Sequence, residues 1–445
     1  MNEWHDAEQH VERAHEHYEA GRWDLAESEL RRALAVNPYR AEWHVNLALT
    51  LEAAGRFEDA LRALEAAHGL DPSDAQTLLL LGVNSLRVGD AERAIGWLEK
   101  AQAAAPMEVD AFAYRIEAYA RLGDHERAEE MFYRALQMEG DHALAYASVA
   151  ESLMARKRFD RAEYCLREAA RLDPRLPRVH ARLAAACAAL GRHDEAYELY
   201  LRALREAPGD VETLLDLGCL LVDRGRYSEA DEKFRRVLEL ERAHPEALLR
   251  LGDLAERQRR YRDAATMYAG AAAADATDTE AAVRLARVRI RLGELGPARR
   301  LLRSTARAVR GDLARAPELD LAELGELLMD VRLFREAEAV FESLARRTPD
   351  DAWAWHLLSV ARFQMEERTR GIEAARRALR LNPRCVPVLH NLALAFAEEK
   401  RWTGAACFVR LALREEPDDH SLRRLRLSIH VRWLMDAARR LMRGR

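Results

Sequence analysis

The stretch GRWDLAESELRRALAVNP (Gly21–Pro38) returns thirty-four residues later as GRFEDALRALEAAHGLDP (Gly55–Pro72), with glycine, aromatic, alanine, leucine and proline at matching offsets. A unit of this length cannot bury a hydrophobic face alone and gains stability by stacking on its neighbours. The period therefore overrides the count of about three ordinary domains that a prior of ~150 residues per domain sets for a chain of 445 residues.

Extending the match gives twelve registers, beginning at Ala7, Ala41, Ala75, Val109, Ala143, Pro177, Val211, Pro245, Thr279, Glu318, Ala352 and Val386. The twentieth position is alanine in every register but the eleventh, which has Gly371. The eighth is small throughout, as at Gly82, Gly252 and Gly325, except for Ile116. Large residues such as Leu30, Leu98, Phe132 and Tyr268 hold the twenty-fourth. Small residues let two helix axes approach to the low end of ~8–10 Å, and a large neighbour fills the remaining gap. Glycine near the fifteenth position (Gly21, Gly55, Gly89, Gly123, Gly191, Gly225, Gly293) ends a first helix. Proline at the thirty-second (among them Pro38, Pro72, Pro174 and Pro383) stops a second. Each register is predicted to be a helical hairpin.

This pattern resembles the tetratricopeptide repeat over nearly the whole chain, from about Ala7 to Pro417. The resemblance implies an all-α superhelix, an α-α solenoid of about twelve hairpins, with the first helix of each pair lining the concave face. Three departures qualify it. Lys157, Arg259, Arg332 and Lys400 stand where glycine is expected. The step from Thr279 to Glu318 is five residues longer than the others, which predicts an extended helix or inserted loop between about Ser304 and Pro317. Past Pro417 the repeat gives way to a basic segment, with Leu427, Val431, Leu434, Ala438 and Leu441 on one face of a helix expected to cap the stack. The expected organisation is repeats one to nine over 1–310, repeats ten to twelve over 311–417 and the capping helix over 418–445.

Composition excludes several classes. With 49% hydrophobic and 33% charged residues the chain is ordered and helix-rich, and no window approaches the ~18 uncharged apolar residues of a membrane span. The N-terminal stretch lacks the apolar core of a secretory signal, so a cytosolic location is expected. Only Lys100, Lys157, Lys233 and Lys400 are lysines among 70 basic residues, an arginine bias that points to a high-GC bacterium. The five cysteines (Cys165, Cys187, Cys219, Cys385, Cys407) fit neither a disulfide framework nor a zinc site. Phosphate-loop, dinucleotide, nucleophile-elbow and zinc-protease motifs are absent. His5, His10 and His15 step by five, a spacing that scatters side chains around a helix. No catalytic residue, metal, cofactor or small-molecule substrate is expected.

What a repeat array offers is surface. The concave positions are the second, fifth, sixth, ninth, twelfth and thirteenth of each register. They present an apolar stripe of Val45, Leu49, Leu79, Leu80, Val83 and Leu86. A basic zone of Arg250, Arg257, Arg284, Arg287 and Arg291 follows, then acidic Glu323, Glu326 and Asp330, then Trp353, His356 and Phe363. Such a strip suits an extended or helical segment of a partner protein. The competing reading makes the stripe core and pairs the arginines with Asp253 and Glu256. Family members that capture acidic chaperone tails carry a clamp of lysine and asparagine. Here Asn46 and Asn391 occupy position six, but the preceding registers supply Val11 and His15, and His356 and Val360, so the clamp is missing. The expected function is a non-catalytic scaffold or adaptor. Alternatives are an electrostatic binder of nucleic acid or anionic membrane through the basic tail, and the regulatory arm of a separate enzyme. An acidic body weighs against nucleic acid and membrane as main partners, peripheral contact by the tail aside.

Overall fold

The computed structural model describes residues 2–275, 279–311 and 318–443, and among them every regular element is an α-helix. Contacts divide the chain into two compact units, Met1–Gly225 and Arg226–Arg445. The first holds α1 (Asn2–Glu19), α2 (Trp23–Val36), α3 (Ala41–Ala53), α4 (Phe57–Leu70), α5 (Ala75–Val88), α6 (Ala91–Ala104), α7 (Asp110–Arg121), α8 (His125–Met138), α9 (Ala143–Ala155), α10 (Phe159–Leu172), α11 (Val179–Ala189), α12 (His193–Glu206) and α13 (Val211–Asp223). The second holds α14 (Tyr227–Leu240), α15 (Pro245–Arg257), α16 (Tyr261–Ala274), α17 (Thr279–Arg291), α18 (Leu295–Gly311), α19 (Glu318–Asp330), α20 (Phe334–Arg347), α21 (Ala352–Gln364), α22 (Arg368–Leu381), α23 (Val386–Glu398), α24 (Trp402–Glu415) and α25 (His420–Arg443). Within each unit successive helices pack as the hairpins of an α-solenoid, and most first helices start on the residue that opens a register.

The hairpin turn follows from one backbone conformation. At the end of α5, Gly89 takes φ 91°. Its N–H donates to the Leu86 carbonyl at 3.0 Å, and the Asp90 N–H donates to Ser85 at 2.9 Å, closing carbonyls the helix leaves open. The same left-handed turn persists without glycine at Lys157, Arg259, Arg332, Glu366 and Lys400, with φ between 56° and 62°. A side chain there costs about 1–2 kcal/mol, and packing on both sides holds the geometry.

The small and large positions meet as the spacing predicts. A Cβ on Gly82 would lie 2.5 Å from Leu98 Cγ, and one on Gly252 would lie 2.5 Å from Tyr268 Cε1; Gly325 stands in the same relation to Phe341. Gly371, the departure from alanine, has a local cause. The Phe363 ring occupies the space of its missing Cβ, with Cε1 2.6 Å from that point.

The excess after Ser304 begins as helix, for α18 has 17 residues against 14 in α16 or α20. The rest of that segment, 312–317, lies outside the described residues. One core of Val283, Leu302, Val309, Leu321, Leu324 and Phe341 spans both sides of the insertion, and residue 311 falls inside the second unit.

The terminal helix α25 packs on the last hairpin, but by the face opposite to the expected one. Leu422 joins Leu389 and Ala412, Ile429 joins the core around Phe396 and Val409, and the Trp402 indole donates to Asp436 at 3.2 Å. Leu427, Val431, Leu434 and Ala438 are exposed. The reason is the short connection after Pro417. It places Leu422 on the last hairpin and so sets the rotation of everything after it, and the longer apolar stripe faces outward.

Candidate functional site

In the first unit the first helices α5, α7, α9, α11 and α13 line a groove of about 610 Å³. Its walls repeat with the period. Position six supplies Tyr114, Ser148, Arg182 and Asp216; position nine supplies Glu117 and Glu151; position thirteen supplies Arg87 and Arg121. Residues three apart on one helix share a face, and residues thirty-four apart occupy the same place on successive first helices, so the side chains form rows across the groove.

The rows are largely self-neutralising. Arg121 donates to Glu117 at 2.6 Å and to the Leu86 carbonyl, and Arg182 lies 3.9 Å from Glu151. Arg178 pairs with Glu212 and, at 3.2 Å, with Asp210. Arg87 has no ion pair among the described residues, and neither does the Tyr114 hydroxyl make a hydrogen bond. Burial, then the nearby Asp110 carboxylate, pushes the Tyr114 phenol above its ordinary value, so it stays a neutral donor. With Leu144 and Met154 in the same walls, the groove offers apolar side chains, an unpaired cation in Arg87 and a phenol donor in Tyr114.

Registers four to seven carry no single-sign or single-polarity run, so polarity along the sequence does not mark them. The same six positions, read in every register, would have identified them.

Two residues of the expected apolar stripe are interior and the other four are half-buried. Leu86 is 1% exposed and Val83 7% exposed, and both are corrected from groove to core. Leu86 packs with Ala91, Ala94 and Leu98, and Leu79 lies half-buried against that cluster. Val45 and Leu80 pack on Leu47, Leu51, Leu64 and Leu81, and Leu49 is half-buried. The cause is that α5 meets both its own hairpin partner and the preceding repeat, so little of its circumference faces the groove.

In the second unit four of the five arginines of the basic zone pair with carboxylates, and Arg257 is exposed with no ion pair among the described residues. Arg284 pairs with Asp253 and Glu280, Arg287 with Glu256 at 3.1 Å and Glu323 at 2.7 Å, Arg291 with Glu256 at 2.9 Å, and Arg250 with Glu246 at 3.1 Å. The Tyr268 hydroxyl reaches Asp253 at 2.7 Å and Glu256 at 3.1 Å from beneath. Trp353 is half exposed, its ring 4.9 Å from the buried His356, whereas Phe363 is half-buried against Gly371.

Glu163, Cys187 and Glu195 bring their ligand atoms within 4.8 Å of one another. Both carboxylates already have cations: Arg167 lies 2.8 Å from Glu163 and 2.7 Å from Glu195, and Arg192 pairs with each. Burial holds the Cys187 thiol protonated, the opposite of what a thiolate ligand needs. The arrangement is that of a charge-paired core.

Comparison with known families finds two models. One described as the C-terminal domain of cilia and flagella-associated protein 70 matches residues 69–284, and the tetratricopeptide repeat matches 11–75 and 357–420. No curated protein matches. Among solved structures, a tetratricopeptide repeat protein from Parabacteroides merdae is 18% identical over 53% of this chain and 94% of its own, with a TM-score of 0.45. Yeast Tom70 is 16% identical over 89% of this chain and 96% of its own, at 0.45. The APC/C hetero-tetramer Cut9–Hcn1 is 15% identical over 94% and 95%, at 0.38. With TM-scores under 0.5, these superpositions add nothing to what the family models and the hairpin geometry establish.

Proposed function

This chain belongs to the tetratricopeptide-repeat family, and from that premise we propose that it is a non-catalytic scaffold whose first-unit groove holds a peptide or helical segment of a partner protein. Repeats of this family generally mediate protein–protein interactions and are generally not enzymes. The observation that carries the finer reading is the groove of about 610 Å³ across five successive first helices, with Arg87 and Tyr114 unsatisfied in its wall. Because the other charges neutralise one another, the groove favours a segment of mixed polarity over a run of acidic residues. The exposed Trp353 in the second unit is a further contact candidate. Localisation in the cytosol belongs to the same proposal.

Photo-crosslinking tests it. A photoreactive residue at Tyr114 or Met154 in the full chain is expected to yield partner adducts in extracts of the native host, and the same residue at Tyr133, exposed on α8, is expected to yield none. Adducts from Tyr133 alone, or equally from all three, would refute the groove.

A further inference from the structure

The outward face of α25 belongs to no groove. At ~100° per residue, Leu427, Val431, Leu434 and Ala438 fall within a ~60° sector opposite Ile429, which is buried in the last hairpin. Leu427 is 65% exposed, Leu434 50% and Met435 57%. Arg424 borders this stripe, and Arg426, Arg432 and Arg439 stand on the flanks of the helix between it and the stack. Arg424, Arg426, Arg432 and Arg439 are exposed and have no ion pair among the described residues. Arg423 is tied to Asp418 at 2.6 Å. The helix's single acidic residue, Asp436, is held by Trp402 on the side facing the stack. The outward face thus combines apolar side chains with unpaired positive charge and presents no anion.

We propose that α25 is a docking surface for an anionic lipid bilayer, separate from the groove and independent of what the groove holds. A bilayer surface uses both properties at once. Leucines and valine enter the boundary between headgroups and acyl chains, while arginine stems lie along the apolar surface and carry their guanidinium groups to the phosphates. A specific partner helix is disfavoured, because the fixed charges around the stripe are all of one sign and offer no alternating pattern to select one. A second copy would bring two arginine-rich helices together. Nucleic acid gives the exposed leucines nothing to bury against.

The test uses the full chain and extruded vesicles, one set of phosphatidylcholine alone and one containing about a third phosphatidylglycerol, in a co-sedimentation assay. Binding is expected to the mixed vesicles, at least about tenfold weaker to phosphatidylcholine, and to weaken with salt. Leu427→Glu and Leu434→Glu should each lower it by about tenfold or more with helix content unchanged, since both side chains are exposed. The Arg424→Gln, Arg432→Gln pair leaves the apolar face intact and should lower it as well, which keeps the test open if a glutamate disturbs α25. Tyr114→Ala should leave vesicle binding unchanged, so failure here and failure of the groove are separable. The proposal is overturned if anionic vesicles fail to sediment the chain, or if binding ignores the leucine and arginine variants. It is equally overturned if Leu434→Glu instead abolishes self-association in sedimentation equilibrium without altering vesicle binding, or if a DNA duplex is bound undiminished by that variant.

Discussion

Arg284, Arg287 and Arg291 on α17, and Arg424, Arg426 and Arg432 on α25, are the same side chain on the same kind of element within one unit. The first three are each committed to carboxylates, whereas the second three have no ion pair among the described residues. Sequence spacing explains the difference. Arg284 meets Asp253 and Arg287 meets Glu256, each thirty-one residues back, and Arg287 meets Glu323 thirty-six residues on. A period of thirty-four places those residues on the adjacent first helix, so these three arginines find partners about one repeat away. The helix α25 lies outside the period, and its arginines have no such neighbour. A basic run is therefore informative only after the residues one period away have been checked.

The largest expected effect tests that contrast directly. Arg284→Ala leaves Asp253 and Glu280 without their shared cation in a half-buried setting and should cost about 2–3 kcal/mol. Arg424→Ala and Arg432→Ala should each stay within about 0.5 kcal/mol of the parent. Urea unfolding of the full chain measures both, and equal losses would erase the distinction. Next, Tyr268→Phe keeps the ring that fills the space over Gly252 but removes the hydroxyl between Asp253 and Glu256. A loss of about 1–2 kcal/mol is expected, with vesicle binding untouched. If stability does not change, the carboxylates are satisfied by arginine alone.

Lys400→Gly is a smaller change of opposite sign. It relieves a left-handed residue at φ 59° and should raise the unfolding midpoint by the equivalent of about 0.5–1 kcal/mol, the gain being offset in part by a freer unfolded chain. An unchanged midpoint would show that packing has already absorbed the strain. The smallest effect concerns a base without a partner in the interior. His356 is buried, its Nδ1 makes no hydrogen bond, and burial lowers its pKa below the ordinary value near 6.5. A depressed value means that the neutral ring's contribution is complete above the unfolded pKa and is lost as pH falls through the folded one. Between pH 7.5 and 5.5 the parent should therefore lose more thermal stability than His356→Leu. Equal pH dependence would show that the ring escapes to solvent when it protonates.

Hairpin architecture was legible from positions eight, fifteen, twenty and thirty-two, because each reports a local requirement: a close approach, a left-handed turn, a helix stop. Gly82 against Leu98 and the turn at Gly89 could be named before any coordinates. The groove was legible only as a rule about positions. Applied to registers two and three it selected Val83 and Leu86, which are interior, because polarity was taken as the guide to exposure. In a solenoid both the hairpin core and the neighbouring repeat compete for an apolar side chain, and that competition is decided by the tilt of one hairpin on the next.

The sequence by itself determined the family, the all-helical hairpins and tight contacts such as Gly82 with Leu98, since these follow from spacing within about one period. Tertiary structure alone decided which side of α25 meets the stack, which arginines are paired and which first-helix rows stay open. Those outcomes depend on the rotation of each helix about its axis once a neighbour has claimed one face. An apolar stripe on either side satisfies the same periodicity, so the pattern of residues does not distinguish them until Leu422 is seated on the last hairpin.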